Sequence, residues 1–233
     1  MARLPRLSIA GHVHLLMQRG RSGHVVFTSP QDAQSYLAAL RAAADQAGVA
    51  VHAYALVDNE AVLLVTPLEA DSLSRMVQSL GRRFVGDFNQ RHAASGSPWE
   101  GRFRSTVIDS AQHLLSCLCF VESMDSGAAA DQAWSSASHH GGQRQDPLIT
   151  EHPGFWRLGN TPFEREAAHR QLLASGNSAQ QTRQIREAVL KGWPLGDSAF
   201  TASLSRHTTR RTQPLKRGRP AGNSQGKYDS VPK

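Results

Sequence analysis

Two histidines, His12 and His14, flank Val13 in a stretch, 7–18, whose composition reads as a β-strand. Side chains at i and i+2 on a strand share a face, so this pair is the beginning of a divalent-cation site. Glu60 opens a second β-rich run at 60–66. If the two strands were neighbours, its carboxylate would complete a His12, His14, Glu60 set with an oxygen ligand suited to Mg²⁺ or Mn²⁺. Cys117 and Cys119 are the only cysteines. One intervening residue cannot close an unstrained disulfide in regular structure, and Cys-x-Cys alone is two ligands short of a metal site. A reduced, cytoplasmic protein is therefore expected. His52, His139 and His140 fall in strand and loop positions and are assigned no role.

Cations form the second chemical group. Arg102 and Arg104 alternate around Phe103, which places both guanidiniums on one side of a strand and the ring on the other. Trp99, just before them, is a candidate for stacking on an unpaired base. Arg75, Arg82 and Arg83 lie off the apolar stripe of a helix and are candidate phosphate contacts. Residues 206–233 carry eight Lys/Arg against the single acid Asp229, an excess equal to the whole chain's net charge of +7. A balanced body followed by a basic tail implies a polyanionic partner, of which nucleic acid is the commonest. Within that tail Lys216, Arg217 and Arg219, around Gly218 and before Pro220, match the core of an AT-hook, which lies in the minor groove of A·T-rich duplex.

The elements that position these residues follow from periodicity and end signals. The strand at 7–18 is followed by a helix over Pro30–Ala47, stopped by Gly48. Runs at 49–57 and 60–66 form a hairpin across Asp58-Asn59. Asp71 opens a helix with Leu73, Met76, Leu80, Phe84 and Phe88 on one face; a strand at 102–108 and a helix at 110–123 complete the pattern. Strand, helix, strand, strand, helix, strand is the split βαβ order of an α+β, ferredoxin-like core, an antiparallel sheet with helices on one face. The expected organisation is a core at 1–125, an irregular segment and C-terminal helices at 126–205, and a disordered basic tail at 206–233. Thr161-Pro162-Phe163-Glu164 and Ser178-Ala179-Gln180-Gln181 are helix starts, while 125–160 has no assignable pattern. The longest apolar runs fall far short of the roughly 18 residues of a membrane span.

Several segments, in order along the chain, are similar to a known family. They are Met1-Ala2-Arg3-Leu4-Pro5-Arg6, Gln18-Arg19-Gly20, Ser79-Leu80-Gly81-Arg82-Arg83-Phe84-Val85, Trp99-Glu100-Gly101-Arg102-Phe103-Arg104-Ser105, Trp134-Ser135-Ser136 and Gly192-Trp193-Pro194-Leu195-Gly196. With Lys216-Arg217-Gly218-Arg219-Pro220, they make the chain resemble the REP-associated tyrosine transposases. The resemblance implies a third strand carrying Asn-His-hydrophobic-His, whose imidazoles hold a divalent metal against the scissile phosphate. It also implies a tyrosine on a later helix that attacks phosphorus and joins DNA covalently to the protein. Here the strand reads Asn59-Glu60-Ala61-Val62, so the histidine positions hold Glu60 and Val62. The tyrosine position holds Phe120, in Phe120-Val121-Glu122, and the Asn-Pro expected after it is Met124-Asp125. The remaining tyrosines, Tyr36, Tyr54 and Tyr228, stand elsewhere.

The expected function is therefore DNA binding without cleavage, toward single-stranded or hairpin DNA of repeat elements, with no intact catalytic residue and no cofactor or metal. The alternative is an active transposase or nickase with substituted ligands, cutting single-stranded DNA with Mg²⁺ or Mn²⁺. The expected partner is DNA, single-stranded or hairpin and, through the tail, A·T-rich duplex; members of the resembled family act as monomers or as homodimers, and no interface pattern in the sequence decides between them; no membrane is expected.

Overall fold

The computed structural model describes residues 5–124 and 134–214. The first helix, α1 (Pro30–Ala47), shows how local sequence sets the elements. Ser29 and Asp32 form a reciprocal capping box, Pro30 occupies the first turn, and Gly48 closes the helix at φ 65 in the left-handed region. It lies beside α2 (Ser72–His92), which follows the hairpin of β2 (Val49–Val57) and β3 (Glu60–Pro67). With β1 (His14–Arg19), β4 (Arg104–Val107) and a short β5 (Trp134–Ser135), these strands make one antiparallel sheet in the order β4-β1-β3-β2-β5. The first four strands carry the ferredoxin-like connectivity read from the sequence.

Strand alternation divides the core in two. Leu16, Tyr54, Leu56, Ala61, Leu63 and Val65 pack against α1 and α2. On the other face Leu15, Met17, Ala53, Ala55, Val62 and Leu64 meet α3 (Ser110–Glu122) and α6 (Ala179–Lys191). Helices on one face therefore describe α1 and α2 alone; the opposite face is covered as well, by α3 and the C-terminal part of the chain. The segment beyond 125 joins this architecture directly, since β5 pairs with β2 and α4 (Ala137–His140) follows it. Next come a 3₁₀ turn at Trp156–Leu158 and α5 (Pro162–Ser175), whose capping box joins Thr161 and Glu164. A final helix, α7 (Ser198–Leu204), begins at the Asp197 cap and was not foreseen.

The first strand starts later than expected. Gly11 has φ 70 and donates its N–H to Pro67 O at 2.8 Å, which turns the chain away from the ladder. Leu7 and Ile9 consequently pack as a separate cluster with Val107 and Leu204. Cys117 and Cys119 are both free and buried. No described helix is long and apolar enough to cross a membrane.

Asp32 joins the two helices of the first face. Its fully buried carboxylate accepts from Ser29 N at 3.1 Å, Thr28 Oγ1 at 2.9 Å, Arg91 Nη2 at 3.0 Å and His92 at 2.9 Å. Burial pushes this carboxyl up, but hydrogen bonds from His92, Ser29, Thr28 and Arg91 outweigh it and hold it below the ordinary range. Asp32→Ala should therefore cost about 3 kcal/mol in urea denaturation near neutral pH, the cost of orphaning one side of a buried ion pair. Because the folded-state pKa is depressed, the stabilisation is present above the ordinary Asp pKa and lost as pH falls through the folded value. The gap between wild type and variant should accordingly narrow in acid.

Candidate nucleic-acid interface

The positions where cutting chemistry was sought lie in the second core. Val62 is fully buried and pairs across the sheet with Met17 and Ala55, while Phe120 belongs to the same apolar cluster. Glu60 is buried at the start of β3, and its carboxylate is already held by two guanidiniums, Arg19 at 3.1 Å and Arg186 at 2.7 Å. A carboxylate so engaged has no free charge for a metal.

The His12, His14, Glu60 set fails on register. Arg19 pairs with Glu60, whereas His14 pairs with Val65 at the far end of the ladder. His14 therefore shares the face of Leu16 and Leu63, and Glu60 that of Val62 and Leu64. His14 is also fully committed, with Nε2 accepting from Ile9 N at 3.2 Å and Nδ1 at 2.7 Å from His12 O. Burial lowers its pKa to about 4, against the opposing hydrogen bond to His12. Tyr36 donates to Gln18 Oε1 at 2.8 Å and Tyr54 to Asp146 Oδ2 at 2.6 Å, both from fully or nearly fully buried positions. Tyr228 lies outside the described residues.

Cations converge instead at the outer strand β4. Arg6, Arg102, Arg104, Lys191 and Arg210 line one cavity of about 80 Å³, with no carboxylate in its wall among the described residues. Arg104 is on the α6 side of β4, and its Nη1 donates to Leu190 O at 3.3 Å. Arg210 Nη2 donates to Gly192 O at 2.8 Å. Both guanidiniums thus satisfy carbonyls at the end of α6, where cations are favoured by the helix dipole. Arg6 lies 3.7 Å over the Phe103 ring and donates Nε to Phe103 O at 3.1 Å. Lys191 is paired with the exposed Glu187 at 2.6 Å. Arg210 keeps Nε and Nη1 buried without a partner, and burial followed by the charge of Arg211 lowers its pKa. Among the described residues no acid lines this cavity, so the guanidiniums of Arg102, Arg104 and Arg210 repel one another, and a bound anion would relieve that repulsion. The guanidinium fork matches phosphate oxygens.

Arg102 and Arg104 therefore meet in one cavity, whereas the other sequence candidates lie elsewhere. Trp99 is 5% exposed and sits 5.9 Å from both Tyr36 and Phe84 within an aromatic cluster. It is a core residue, not a stacking platform, because its strand-end position turns the ring under α1 and α2. Arg75 is bound by Glu69 at 2.7 Å and Asp71 at 3.4 Å, which neutralises it. Arg82 and Arg83 are exposed on α2, lining hollows between α1 and α2 away from β4. Lys216, Arg217 and Arg219 lie outside the described residues. Sequence reasoning did not single out Arg6, Lys191 and Arg210 as site residues, although Arg6 ends the Met1–Arg6 segment, because they lie far apart in the chain. It also missed a buried cluster at Glu122. There burial pushes the carboxyl up, but hydrogen bonds from His140 and His169 outweigh it and hold it at about 2.

No protein-family model and no curated protein matches the chain. Among solved structures it is similar to a REP-associated tyrosine transposase bound to a REP hairpin. That similarity has a TM-score of 0.46 and 13% identity over 66% of this chain and 93% of that one. It is also similar to a transposase-like protein of Deinococcus radiodurans, with a TM-score of 0.36 and 20% identity over 49% of this chain and 86% of that one.

Val62→His tests whether this face of β3 is sealed within the core. Placing an imidazole among Met17, Leu64 and Ala55 should lower stability by about 2 kcal/mol in chemical denaturation, the cost of a buried polar group without a partner. A variant as stable as wild type would mean that this face of β3 is open.

Proposed function

We propose that this protein binds DNA through the cationic edge of its sheet and does not cut it. The observation that carries the reading is the convergence of Arg102, Arg104 and Arg210, with Arg6 and Lys191 beside them, on one cavity that no carboxylate lines among the described residues. Polyphosphate binding draws its affinity from such groups through counterion release. The absence of cutting is supported by Val62 and Phe120 inside an apolar core and by Tyr36 and Tyr54 with their hydroxyls engaged. The collinear motifs shared with REP-associated tyrosine transposases favour single-stranded or hairpin DNA of repeat elements as the target. The basic residues Lys216, Arg217 and Arg219 extend the same binding toward the minor groove of adjoining A·T-rich duplex.

Fluorescence anisotropy with a labelled hairpin carrying a single-stranded extension, read across a salt series, tests this function. Replacing Arg102 and Arg104 together by Ala should weaken binding and reduce the log–log salt slope by about 2, one per lost phosphate contact. Truncation after Pro214 should flatten it further. An unchanged slope in the double variant would remove the β4 edge as the binding face. Incubation with Mg²⁺ or Mn²⁺ should leave the DNA intact, and a metal-dependent nick or covalent adduct would establish the nickase alternative.

A further inference from the structure

Glu122 ends α3, His140 ends α4 and His169 lies within α5, so three separate segments bring these side chains together. His140 Nδ1 is 2.7 Å from Glu122 Oε1, His169 Nε2 is 2.5 Å from Oε2, and Ser136 Oγ donates to Oε1. One ligand atom from each of Glu122, His140 and His169 lies within 4.8 Å of the others, and all three residues are buried. We propose that Glu122, His140 and His169 bind a divalent transition-metal ion of the zinc class, with a fourth coordination position open toward the adjoining cavity.

The charge balance of the cluster supports this assignment. Among the described residues no Lys or Arg pairs with Glu122. The nearby guanidiniums point to carbonyls, Arg170 to Gly141 O at 2.6 Å and Arg165 to Gly159 O at 3.3 Å. A buried carboxylate without a cation is costly, and a divalent ion supplies the missing charge. His169 Nδ1 is buried without a hydrogen-bond partner, so the ring is not held by a hydrogen-bond network on both sides.

Donor type selects the metal. Two imidazoles and one carboxylate suit Zn²⁺, Co²⁺ or Ni²⁺ better than Mg²⁺ or Ca²⁺, which prefer all-oxygen shells. Ligand bonds of about 2.0–2.1 Å in a tetrahedron put neighbouring ligand atoms about 3.3 Å apart; the two imidazole–carboxylate contacts, at 2.7 and 2.5 Å, would lengthen by less than about 1 Å, and all ligand atoms already lie within 4.8 Å of one another. Phe155, its ring 4.6 Å from that of His140, forms an apolar wall. A cavity of about 200 Å³, lined by His140 with Glu151, Arg165 and Glu166, adjoins the cluster, and an ion would enter past His140, the one ligand that lines it. This inference departs from the sequence expectation that no metal is bound, and it stands independently of DNA binding.

The test uses full-length protein stripped with chelator and titrated with Co²⁺. The expected result is one equivalent bound, visible d–d absorption of a low-symmetry four-coordinate site, displacement by Zn²⁺, and a Tm that rises with Zn²⁺ concentration. Glu122→Gln and His169→Gln should each weaken binding by about 100-fold or more. His139→Ala, which alters the cavity wall but removes no ligand, should leave it unchanged. Wild-type protein that gives no d–d bands and no Tm shift would overturn the proposal, leaving a proton on an imidazole as the balancing charge. Undiminished Co²⁺ binding in folded Glu122→Gln would overturn it equally. If the substituted chains fail to fold, the wild-type titration alone decides. DNA anisotropy should be the same with and without Zn²⁺, which separates this outcome from that of the β4 interface.

Discussion

The constraint on which this structure rests is that β3 is dry on both faces. Its alternating side chains enter two different cores, Leu63 and Val65 beneath α1 and α2, Val62 and Leu64 beneath α3 and α6. A strand with one open face can display metal ligands to solvent, but a strand enclosed on both cannot without burying unpaired polar groups. Val62 on β3 and its enclosure by Phe120, Ile185 and Val189 are therefore parts of one packing solution. The polar residue at the strand's start, Glu60, is retained because Arg19 and Arg186 neutralise it.

With the centre of the sheet sealed, charge is displaced to its margin. β4 is an outer strand, and outer strands need protection against pairing with other chains. At the Ile108 end the protection is backbone: Leu195 N donates to Val107 O at 2.9 Å, and Thr106 Oγ1 donates to Trp193 O. At the Arg104 end it is cationic. Arg104 and Arg210 satisfy the last carbonyls of α6 while leaving positive charge in the cavity, so the side chains that stabilise the helix end are the ones the proposed function would use to hold an anion.

Two buried carboxylates illustrate different solutions to one electrostatic problem. Asp32 receives a guanidinium and an imidazole from α2, which fixes two helices on the same face. Glu122 receives only imidazoles and a hydroxyl, from segments that fold back over the opposite face. The first is complete as it stands, and the second is complete only with an added positive charge. Ser136 links this cluster to the sheet, since its Oγ also accepts from Tyr54 N at 3.0 Å.

Much of the fold was legible in the sequence because the signals are local. The Ser29–Asp32 and Thr161–Glu164 boxes, Gly48, and the alternation of β2 and β3 mark their elements within a few residues, and the strand–helix order then leaves little topological choice. That Val62 and Phe120 offer neither a ligand atom nor an attacking oxygen was equally visible, since residue type alone decides whether a side chain can ligate or attack. Long-range placement was not visible. Whether Trp99 faces solvent, whether His14 and Glu60 share a face, and whether Arg6 meets Arg210 depend on strand register and chain return over distances that no periodicity encodes. His140 and His169 are unremarkable in sequence and acquire meaning only when packing buries them against Glu122. Sequence determined the elements and the donors available; tertiary structure decided which donors meet, because burial and proximity are properties of the assembled core.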